Sequence, residues 1–421
     1  MLISRKTVGK ALYWTTFFML VCQFLITDLG LPSIIMIWLD IVVLLGVLLY
    51  IRKLGKYVDS TATILCLIVC FFWVISSFIG LVWNGSSPVL YLHALRLSGK
   101  YFLLFFISAF SLKKNDILSY FRLLQKFLWL NAIMCTFQYF VGGYRGDHCG
   151  GFFGTGNTNG WMNIYLCIIT AYMICSYVYG KCKIKPLLTN CILCAYIAAL
   201  AEIKFYFFEL AIIFILAIVL SKPSTRKIIA GVAGVVLLLM LSQLVDVLWS
   251  SSSSDAFTLE GIRYYFSDKA YGYASVGDLG RIGGISRSND IFFEGNNSLV
   301  GMGLGMCGYG TSFFSRYGHL HYIWFSYLHV YLEQGWMGII LYVLFFAVIF
   351  YSSRKIKKYT EDSSGLTECL TLFAQCIAVV GLILMWYNTT VTNYQAYFLF
   401  VAMAFPFALI NQEKRPAGYD D

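Results

Sequence analysis

The side chains best suited to chemistry lie in one polar stretch, residues 280–338. It carries Arg281, Arg287, His319 and His321 within a chain that is otherwise strongly apolar. A guanidinium group binds a phosphate or carboxylate through two parallel hydrogen bonds, and an imidazole exchanges its proton near neutral pH. These residue types predict a surface that holds a small anion and moves a proton.

A glycine-rich segment forms a second polar cluster, with the sequence GGYRGDHCGGFFGTGNTNGW at residues 142–161. It carries Arg145, Asp147 and His148. Its glycines permit backbone conformations that turn N–H groups toward an anion, although it lacks the spacing of a phosphate-binding loop. The same composition suits a series of turns, so a ligand role and a turn role both remain open.

A short turn, AEIKFYFFEL at residues 201–210, is the third polar cluster. Lys204 either pairs with Glu202 or Glu209, or binds a ligand together with the other cations. Farther along, His329 and Glu333 are spaced i, i+4, which places them on one face of a helix. They form either a buried ion pair or part of an acid/base site.

The composition determines what kind of scaffold must position these groups. Hydrophobic residues make up 59% of the 421 residues, charged residues make up 12%, and the mean hydropathy is +0.73. A soluble domain has about 25% charged residues, so this chain is solvated mainly by lipid. Apolar runs of about 20 residues recur along it, and each is long enough to cross the membrane as a helix. They predict an all-α polytopic bundle of about twelve spans, at residues 11–29, 32–51, 61–83, 95–112, 117–141, 161–180, 187–203, 206–220, 228–249, 321–350, 366–387 and 394–411.

The charge distribution orients this bundle. The formal charge of +10 could indicate a nucleic-acid partner. However, most of the 31 Lys and Arg residues fall at the ends of the spans that would lie on one side of the membrane. The positive-inside rule then places both termini in the cytoplasm and excludes nucleic acid as the partner. Cations outside this pattern need an acidic partner, a lipid headgroup that the side chain can reach, or a functional role. They are Arg96, Lys100, Arg145, Lys204, Arg263, Lys269, Arg281, Arg287 and Arg316.

The spans divide the chain into four parts. Residues 1–249 hold spans one to nine, 250–318 form a large extracytoplasmic loop, 319–412 hold spans ten to twelve, and 413–421 form a cytoplasmic tail. The loop begins with a Ser250–Asp255 tether and carries nearly balanced charges, which favours a small anion over a polyanion. The tenth span is predicted as one continuous helix, with its first turns standing above the membrane.

Cysteine usage gives no metal signature. The thirteen cysteines do not form the two CxxC pairs that are typical of a zinc site. No metal or other cofactor is therefore expected. Cys149 and Cys307 are the two cysteines predicted in outer loops. In an oxidising compartment they are candidates for a disulfide, and the sequence leaves this open.

The stretch LHVYLEQGWMGIILYVLFF, residues 328–346, resembles the bacterial O-antigen polymerase and ligase superfamily. That family follows a large outer loop with a helix of pattern H-N-x-x-L-x-x-L-x-E-x-G-x-x-G, which is matched by Leu328, Glu333, Gly335 and Gly338. The likeness extends to Arg281 in GRIGG, to GMGLG at residues 301–305, to GFFGTGNTNG at residues 151–160 and to Lys204. Trp324 occupies the position of the pattern's histidine, and His321 lies one helical turn earlier as its substitute.

The resemblance implies a metal-independent, inverting membrane glycosyltransferase that polymerises lipid-linked oligosaccharide repeat units. The donor would be a glycan on undecaprenyl diphosphate, and the acceptor a hydroxyl of an incoming lipid-linked unit, giving O-antigen or a similar surface polysaccharide. The resemblance implies His321, Glu333 and Arg281 as catalytic residues. Substrate-binding roles fall to Arg145, Asp147, Lys204, Arg287 and Arg316.

Two other functions fit parts of the sequence. A ligase of the same superfamily would transfer finished glycan to the lipid A core of lipopolysaccharide. A twelve-helix secondary transporter would share the topology, but such folds usually have two similar halves, and residues 1–220 show no repeat in 221–421. The polymerase hypothesis places the protein in the bacterial cytoplasmic (inner) membrane, with its site facing the periplasm or cell exterior. Membrane lipid, a flippase and a chain-length regulator are then its candidate partners.

Overall fold

The computed structural model describes residues 5–57, 61–156, 159–248, 279, 281–293, 298–356 and 365–413. Within these ranges every regular element is a helix. The Ser250–Asp255 tether, Arg263 and Lys269 lie outside the described residues. The tail 413–421 is described only at Glu413.

The first nine helices correspond to the first nine predicted spans. They are α1 (Arg5–Thr27), α2 (Ile37–Tyr57), α3 (Thr61–Trp83), α4 (Pro88–Ser111), α5 (Lys114–Phe140), α6 (Asn159–Val178), α7 (Ile184–Leu200), α8 (Lys204–Leu220) and α9 (Thr225–Leu248). The described parts of the large loop contain two short helices, α10 (Gly284–Ser288) and α11 (Ser312–Tyr317). The chain then continues through α12 (Ser326–Ile356), α13 (Leu366–Tyr387), α14 (Ala396–Met403) and α15 (Phe405–Glu413).

The protein is a helical bundle with the dimensions of a membrane protein. Among the described residues, 6 helices are long and apolar enough to cross a membrane: Thr7–Thr27, Thr63–Trp83, Pro88–Ser111, Gly160–Val178, Ser326–Arg354 and Leu366–Tyr387. A helix occurs at each of the other predicted positions too, and whether those helices also cross stays a prediction. The apolar runs thus located the helices well, because lipid-facing helices must be apolar along their whole length.

Helices α4, α12 and α14 meet in an aromatic core at the centre of the bundle. The Phe102 ring packs edge-on against Phe345 and Phe400, with centroid distances of 5.0 and 5.2 Å. Rings in this arrangement place the positive edge of one against the negative face of the next. Helix α3 lies at the periphery instead, with the Phe71 side chain 63% exposed.

The predicted continuous tenth span is wrong at its beginning and near its middle. Helix α12 begins at Ser326 because His321 has a left-handed backbone, φ 55°, and Phe325 is extended. The residues before it form short 3₁₀ turns at Gly318–Leu320 and Tyr322–Trp324. Gly335 then breaks the helix with φ 63° and ψ −158°, a conformation essentially restricted to glycine.

The large loop fills the break in α12. Trp336 and Met337 lose their helical acceptors and donate instead to the carbonyl oxygens of Ser298 and Leu299, at 2.9 and 3.1 Å. On the other side of the break, the carbonyl oxygen of Glu333 accepts a 2.9 Å hydrogen bond from the Gly303 N–H. The backbone polar groups freed at the break are therefore satisfied by protein, as a low-dielectric environment requires.

The loop is also fixed to the turn between α3 and α4. The Asn84 side-chain amide donates to the Gly301 carbonyl oxygen at 2.9 Å, and the Ser86 hydroxyl donates to that of Met302 at 3.1 Å. The GMGLG motif thus joins α12 to the α3–α4 turn. Its glycines are needed where backbones come this close, since a Cβ on Gly301 would lie 2.6 Å from the Glu333 carbonyl carbon.

Candidate functional site

Arg281 is held from both its backbone and its side chain. Its carbonyl oxygen accepts hydrogen bonds from the Tyr327 hydroxyl at 2.7 Å and the Trp386 indole at 3.1 Å. Its guanidinium carbon lies 4.5 Å from the Tyr387 ring centroid and 5.2 Å from that of Phe325. Cation–π contacts of this kind orient a guanidinium while leaving its N–H groups directed to the sides, toward an anion.

Tyr387 connects Arg281 to the Lys204 turn. Its other neighbour is Phe205, whose ring stacks on it at a centroid distance of 3.8 Å and an interplanar angle of 8°. Phe205 follows Lys204 directly, at the beginning of α8. The structure thus joins the segments that carry Arg281 and Lys204, which are far apart in sequence, through the rings of Tyr387 and Phe205.

The part of the glycine-rich segment around Arg145, which we call the Arg145 loop, contacts the same turn. A Cβ built on Gly146 would lie 3.5 Å from the carboxyl carbon of Glu202, so the loop and the turn are in close contact. Glu202 has a left-handed backbone, φ 51°, which carries its carbonyl oxygen to a 2.8 Å hydrogen bond with the Lys204 N–H. Left-handed non-glycine residues are uncommon and concentrate at functional sites. We call the joined groups of Arg281, Lys204 and the Arg145 loop the cationic cluster.

Arg145 and Asp147 are exposed at the surface of this cluster. The Arg145 guanidinium carbon lies 5.5 Å from the Tyr139 ring centroid, and Asp147 is in the short 3₁₀ turn Gly146–His148. Arg287 is half-buried in the last turn of α10, only a few residues beyond Arg281.

Arg316 lies on a different element of the large loop. It is exposed in α11, and its guanidinium carbon is 5.2 Å from the Tyr317 ring centroid. No contact in the described residues joins Arg316 to Arg281 or Lys204, so its predicted substrate-binding role stays a prediction.

In the described part of the glycine-rich segment, three backbone N–H groups bind side chains of the protein. The N–H of Gly151 donates to the Gln138 side chain at 2.6 Å, and the N–H of Phe152 donates to Asn131 at 2.8 Å. Asp28 accepts from the Thr155 N–H at 3.1 Å. These N–H groups are used to fix the segment onto α1 and α5, and the turn role is therefore the one observed for them.

His321 is placed differently from its predicted position on a helix. It lies between the two 3₁₀ turns, and its ring packs against Trp324 with centroids 4.0 Å apart. The predicted placement of His321 one helical turn before Trp324 is wrong, because both residues precede α12 and the ring contact arises from a 3₁₀ turn. His321 lies four residues before Phe325, whose ring contacts the Arg281 guanidinium.

Glu333 pairs with His329, as the i, i+4 spacing predicts. The His329 Nε2 lies 3.2 Å from the Glu333 Oε1, and the Glu333 side chain is only 6% exposed. The Cys307 N–H also donates to Oε1, at 3.2 Å. A carboxylate so enclosed needs these partners, and the imidazole that compensates its charge is also a group able to exchange a proton with it.

The His329–Glu333 pair opens onto a cavity of about 430 Å³. A third polar group of its wall, His93, is exposed on α4. Aromatic rings, hydroxyls and amides supply most of the remaining wall, which suits a sugar: flat apolar faces for stacking and polar groups for hydroxyls. They include Tyr101, Trp161, Tyr309, Thr311, Thr389, Thr392, Asn393 and Tyr394.

Two chain segments, residues 323–325 and 387–389, contribute both to the cavity and to the cationic cluster. Ile323 lines the cavity, and Phe325, two residues later, contacts the Arg281 guanidinium. In the same way Thr389 lines the cavity, while Tyr387 lies beneath Arg281. An extended molecule could therefore place an anionic group at the cluster and a neutral group in the cavity.

Cys149 and Cys307 are not bonded to each other. Cys149 is buried beside Cys135, with its Sγ 3.6 Å from the Cys135 carbonyl oxygen, and the hydrogen bond with the Cys135 thiol lowers the pKa of Cys149. Cys307 is buried beside Glu333 and Tyr322, and burial raises the pKa of its thiol. The two thiols are therefore buried in different parts of the protein, each among its own neighbours.

Neither histidine of the cavity, His93 or His329, was among the predicted site residues. His329 was recognised only as the partner of Glu333, although its i, i+4 spacing was a sufficient signal. His93 has no such signal, because it stands alone in an apolar run and reaches the cavity only through the tilt and packing of α4. Among the described residues, no group of three or more His, Cys, Asp or Glu side chains is arranged to hold a metal ion.

The chain matches no protein-family model. No curated protein matches its sequence either.

Proposed function

We propose that the protein is a membrane glycosyltransferase that polymerises lipid-linked oligosaccharide repeat units. The observation that supports this most directly is the meeting of three distant segments at the cationic cluster. Arg281, Lys204 and the Arg145 loop come together through Tyr387, Phe205 and the contact between Gly146 and Glu202. A polyprenyl diphosphate is a membrane-borne anion, and guanidinium and ammonium groups bind phosphate oxygens through charge-assisted hydrogen bonds.

The cluster's chemistry suits a diphosphate leaving group. As the bond between the sugar and the diphosphate breaks, negative charge grows on the departing oxygen. Fixed cations stabilise this charge more in the transition state than in the ground state, and thereby accelerate the reaction. Arg281 is the best-fixed cation, and Arg145, Lys204 and Arg287 assist it from the adjoining segments.

The cavity supplies the acceptor side of the reaction. An acceptor hydroxyl oxygen attacks the anomeric carbon of the donor, the bond from that carbon to the diphosphate oxygen breaks, and undecaprenyl diphosphate leaves with the electron pair. Glu333 takes the hydroxyl proton, and His329 compensates the carboxylate before transfer. Positioned bases of this kind contribute about 10²–10⁴-fold to rate. His321, packed against Trp324, is the alternative base.

The proposal includes a location and a topology. About twelve helices would cross the bacterial cytoplasmic membrane with both termini inside, as the positive-inside rule predicts. The cationic cluster and the cavity would then face the periplasm or cell exterior. A flippase that delivers the lipid-linked unit and a regulator of chain length are the partners that such a reaction needs.

Substitution and deletion in the producing cell test this function. Arg281→Ala should leave single repeat units attached to their acceptor and remove long chains, as should deletion of the gene. Loss of every capped unit on deletion would instead identify a ligase. The proposed function would be contradicted if the Arg281→Ala strain made polysaccharide of unchanged chain length with the normal amount of the variant in its membrane.

A further inference from the structure

Three charged residues meet within the apolar part of the bundle. The Lys100 Nζ lies 3.2 Å from Asp40 Oδ1, and the Arg96 Nε lies 3.9 Å from Asp40 Oδ2. The Lys100 side chain is 4% exposed, whereas that of Arg96 is 53% exposed. Charges in a membrane segment are costly and usually mark a functional site, and neither the cationic cluster nor the cavity uses this group.

The charged group opens into a lateral groove. This groove of about 600 Å³ runs between α2, α3 and α4, and its wall is almost wholly apolar. Leu44 and Leu92 on its wall are 58% and 63% exposed, so the groove opens on the lipid-facing side of the bundle. Gly99 lies in its floor, where it leaves room for a chain.

Helix α4 separates this groove from the cavity. Leu92, Leu95, Arg96 and Gly99 line the groove, while the intervening His93, Ala94, Leu97 and Ser98 line the cavity. At the foot of the wall the Lys100 Nζ lies 5.3 Å from the ring centroid of Tyr394 and 5.6 Å from that of Tyr101, and both rings line the cavity. A molecule in the groove would thus support the back of the cavity wall.

We propose that the groove binds one anionic phospholipid, with its phosphate at Arg96 and an acyl chain along α4 over Gly99. Two cations face one carboxylate, so the group has one positive charge in excess. Because the buried Lys100 is the closer partner of Asp40, the excess lies on Arg96 at the mouth of the groove. A phosphodiester with one negative charge neutralises it. A diphosphate has more charge than this group can compensate and fits the cationic cluster instead.

This site is additional to the proposed function and does not depend on it. Its occupant would be a structural lipid that fixes α4, and through α4 the shape of the cavity. The Arg96 side chain, 53% exposed, is accessible to a headgroup, and a long cationic side chain can extend to the phosphate level.

Lipid binding to the purified full chain tests the proposal. In detergent, phosphatidylglycerol should remain bound in native mass spectra and raise the thermal unfolding midpoint, and phosphatidylcholine should do neither. Arg96→Gln keeps the Asp40–Lys100 pair and should weaken phosphatidylglycerol binding about fivefold or more, the effect of removing one cation. Arg96→Lys should retain most of the binding.

The groove itself is tested at Gly99. A Cβ there would lie 3.8 Å from the Leu95 and Trp73 side chains, an ordinary contact, so Gly99→Ala should bind lipid as the wild type does. Gly99→Phe fills the groove and should lose the lipid while eluting as the same monodisperse species. A photoactivatable phosphatidylglycerol on the wild type should crosslink to α2, α3 or α4 within the groove, which requires no variant to fold.

Three outcomes would overturn the proposal. Equal stabilisation by phosphatidylcholine would show that charge does not select the lipid. Crosslinks that map to other helices would show that the site lies elsewhere. Undecaprenyl diphosphate that displaces the crosslinked phospholipid from the groove would assign the groove to the substrate.

Discussion

The Arg281 guanidinium carbon lies 4.5 Å from the ring centroid of Tyr387, and the same ring stacks on Phe205, which follows Lys204. Tyr387 therefore sets the position of one cation relative to another that is far away in sequence. A change at Tyr387 should alter catalysis without removing any charge.

The ring of Tyr387 should matter more than its hydroxyl. Tyr387→Phe keeps both stacking contacts and should retain most of the activity. Tyr387→Leu removes the cation–π contact, worth about 0.5–2 kcal/mol, so the rate should fall between about twofold and thirtyfold. The measurement is the initial rate of lipid-linked unit consumption in membranes with matched amounts of each variant, and equal rates for the two variants would contradict the stacking role.

The base is identified by comparing two substitutions. Glu333→Gln preserves size and the contact with the Cys307 N–H but cannot accept a proton, so turnover should fall by about 10²–10⁴-fold. His321→Gln should reduce turnover far less, because His321 packs against Trp324, whereas Glu333 lines the cavity. Donor binding, measured by retention of the lipid-linked unit, should be unchanged in Glu333→Gln. The reverse order of effects would assign the proton transfer to His321.

The break in α12 should be intolerant of a side chain. At Gly335 a Cβ would lie 2.4 Å from the Leu299 carbonyl group, and φ is 63°. Gly335→Ala should therefore destabilise the protein by on the order of 3 kcal/mol and expose residues 298–303 to proteolysis. Gly308→Ala is a matched control in the same loop, since its Cβ would make an ordinary 3.8 Å contact. Equal unfolding midpoints for the two variants would show that the loop does not depend on the break.

The orientation of the bundle can be read from thiol labelling. The native cysteines are buried or half-buried, so the wild type should react little with a membrane-impermeant maleimide. On intact cells Tyr144→Cys, in the exposed Arg145 loop, should be labelled, and Ser224→Cys, before α9, should be labelled only after lysis. Labelling in the opposite pattern would place the cationic cluster in the cytoplasm and exclude the proposed reaction.

The positions of the helices could be predicted because the membrane imposes hydrophobicity on each of them. The pairing of His329 with Glu333 followed from helical spacing alone. The pairing of Lys100 with Asp40 is the acidic-partner explanation that the sequence allowed for a cation outside the positive-inside pattern.

The remainder of the site depends on information that hydropathy does not contain. The beginning of α12 is set by the left-handed backbone of His321, and its break at Gly335 is stable only because residues 298–303 supply the missing hydrogen bonds. His93 reaches the cavity through packing between helices. These contacts join residues that are far apart in sequence, so neither residue type nor local spacing could predict them.

Polymerisation by the purified protein is the most direct test of the central claim. Wild-type protein reconstituted with an undecaprenyl-diphosphate-linked repeat unit should produce a ladder of longer glycans and release one undecaprenyl diphosphate for each unit added. Arg281→Ala and Arg281→Lys should both be reconstituted in the normal amount and produce no ladder. Alanine removes the cation, and lysine cannot make the two parallel hydrogen bonds of a guanidinium. A ladder of normal length from Arg281→Ala would contradict the account.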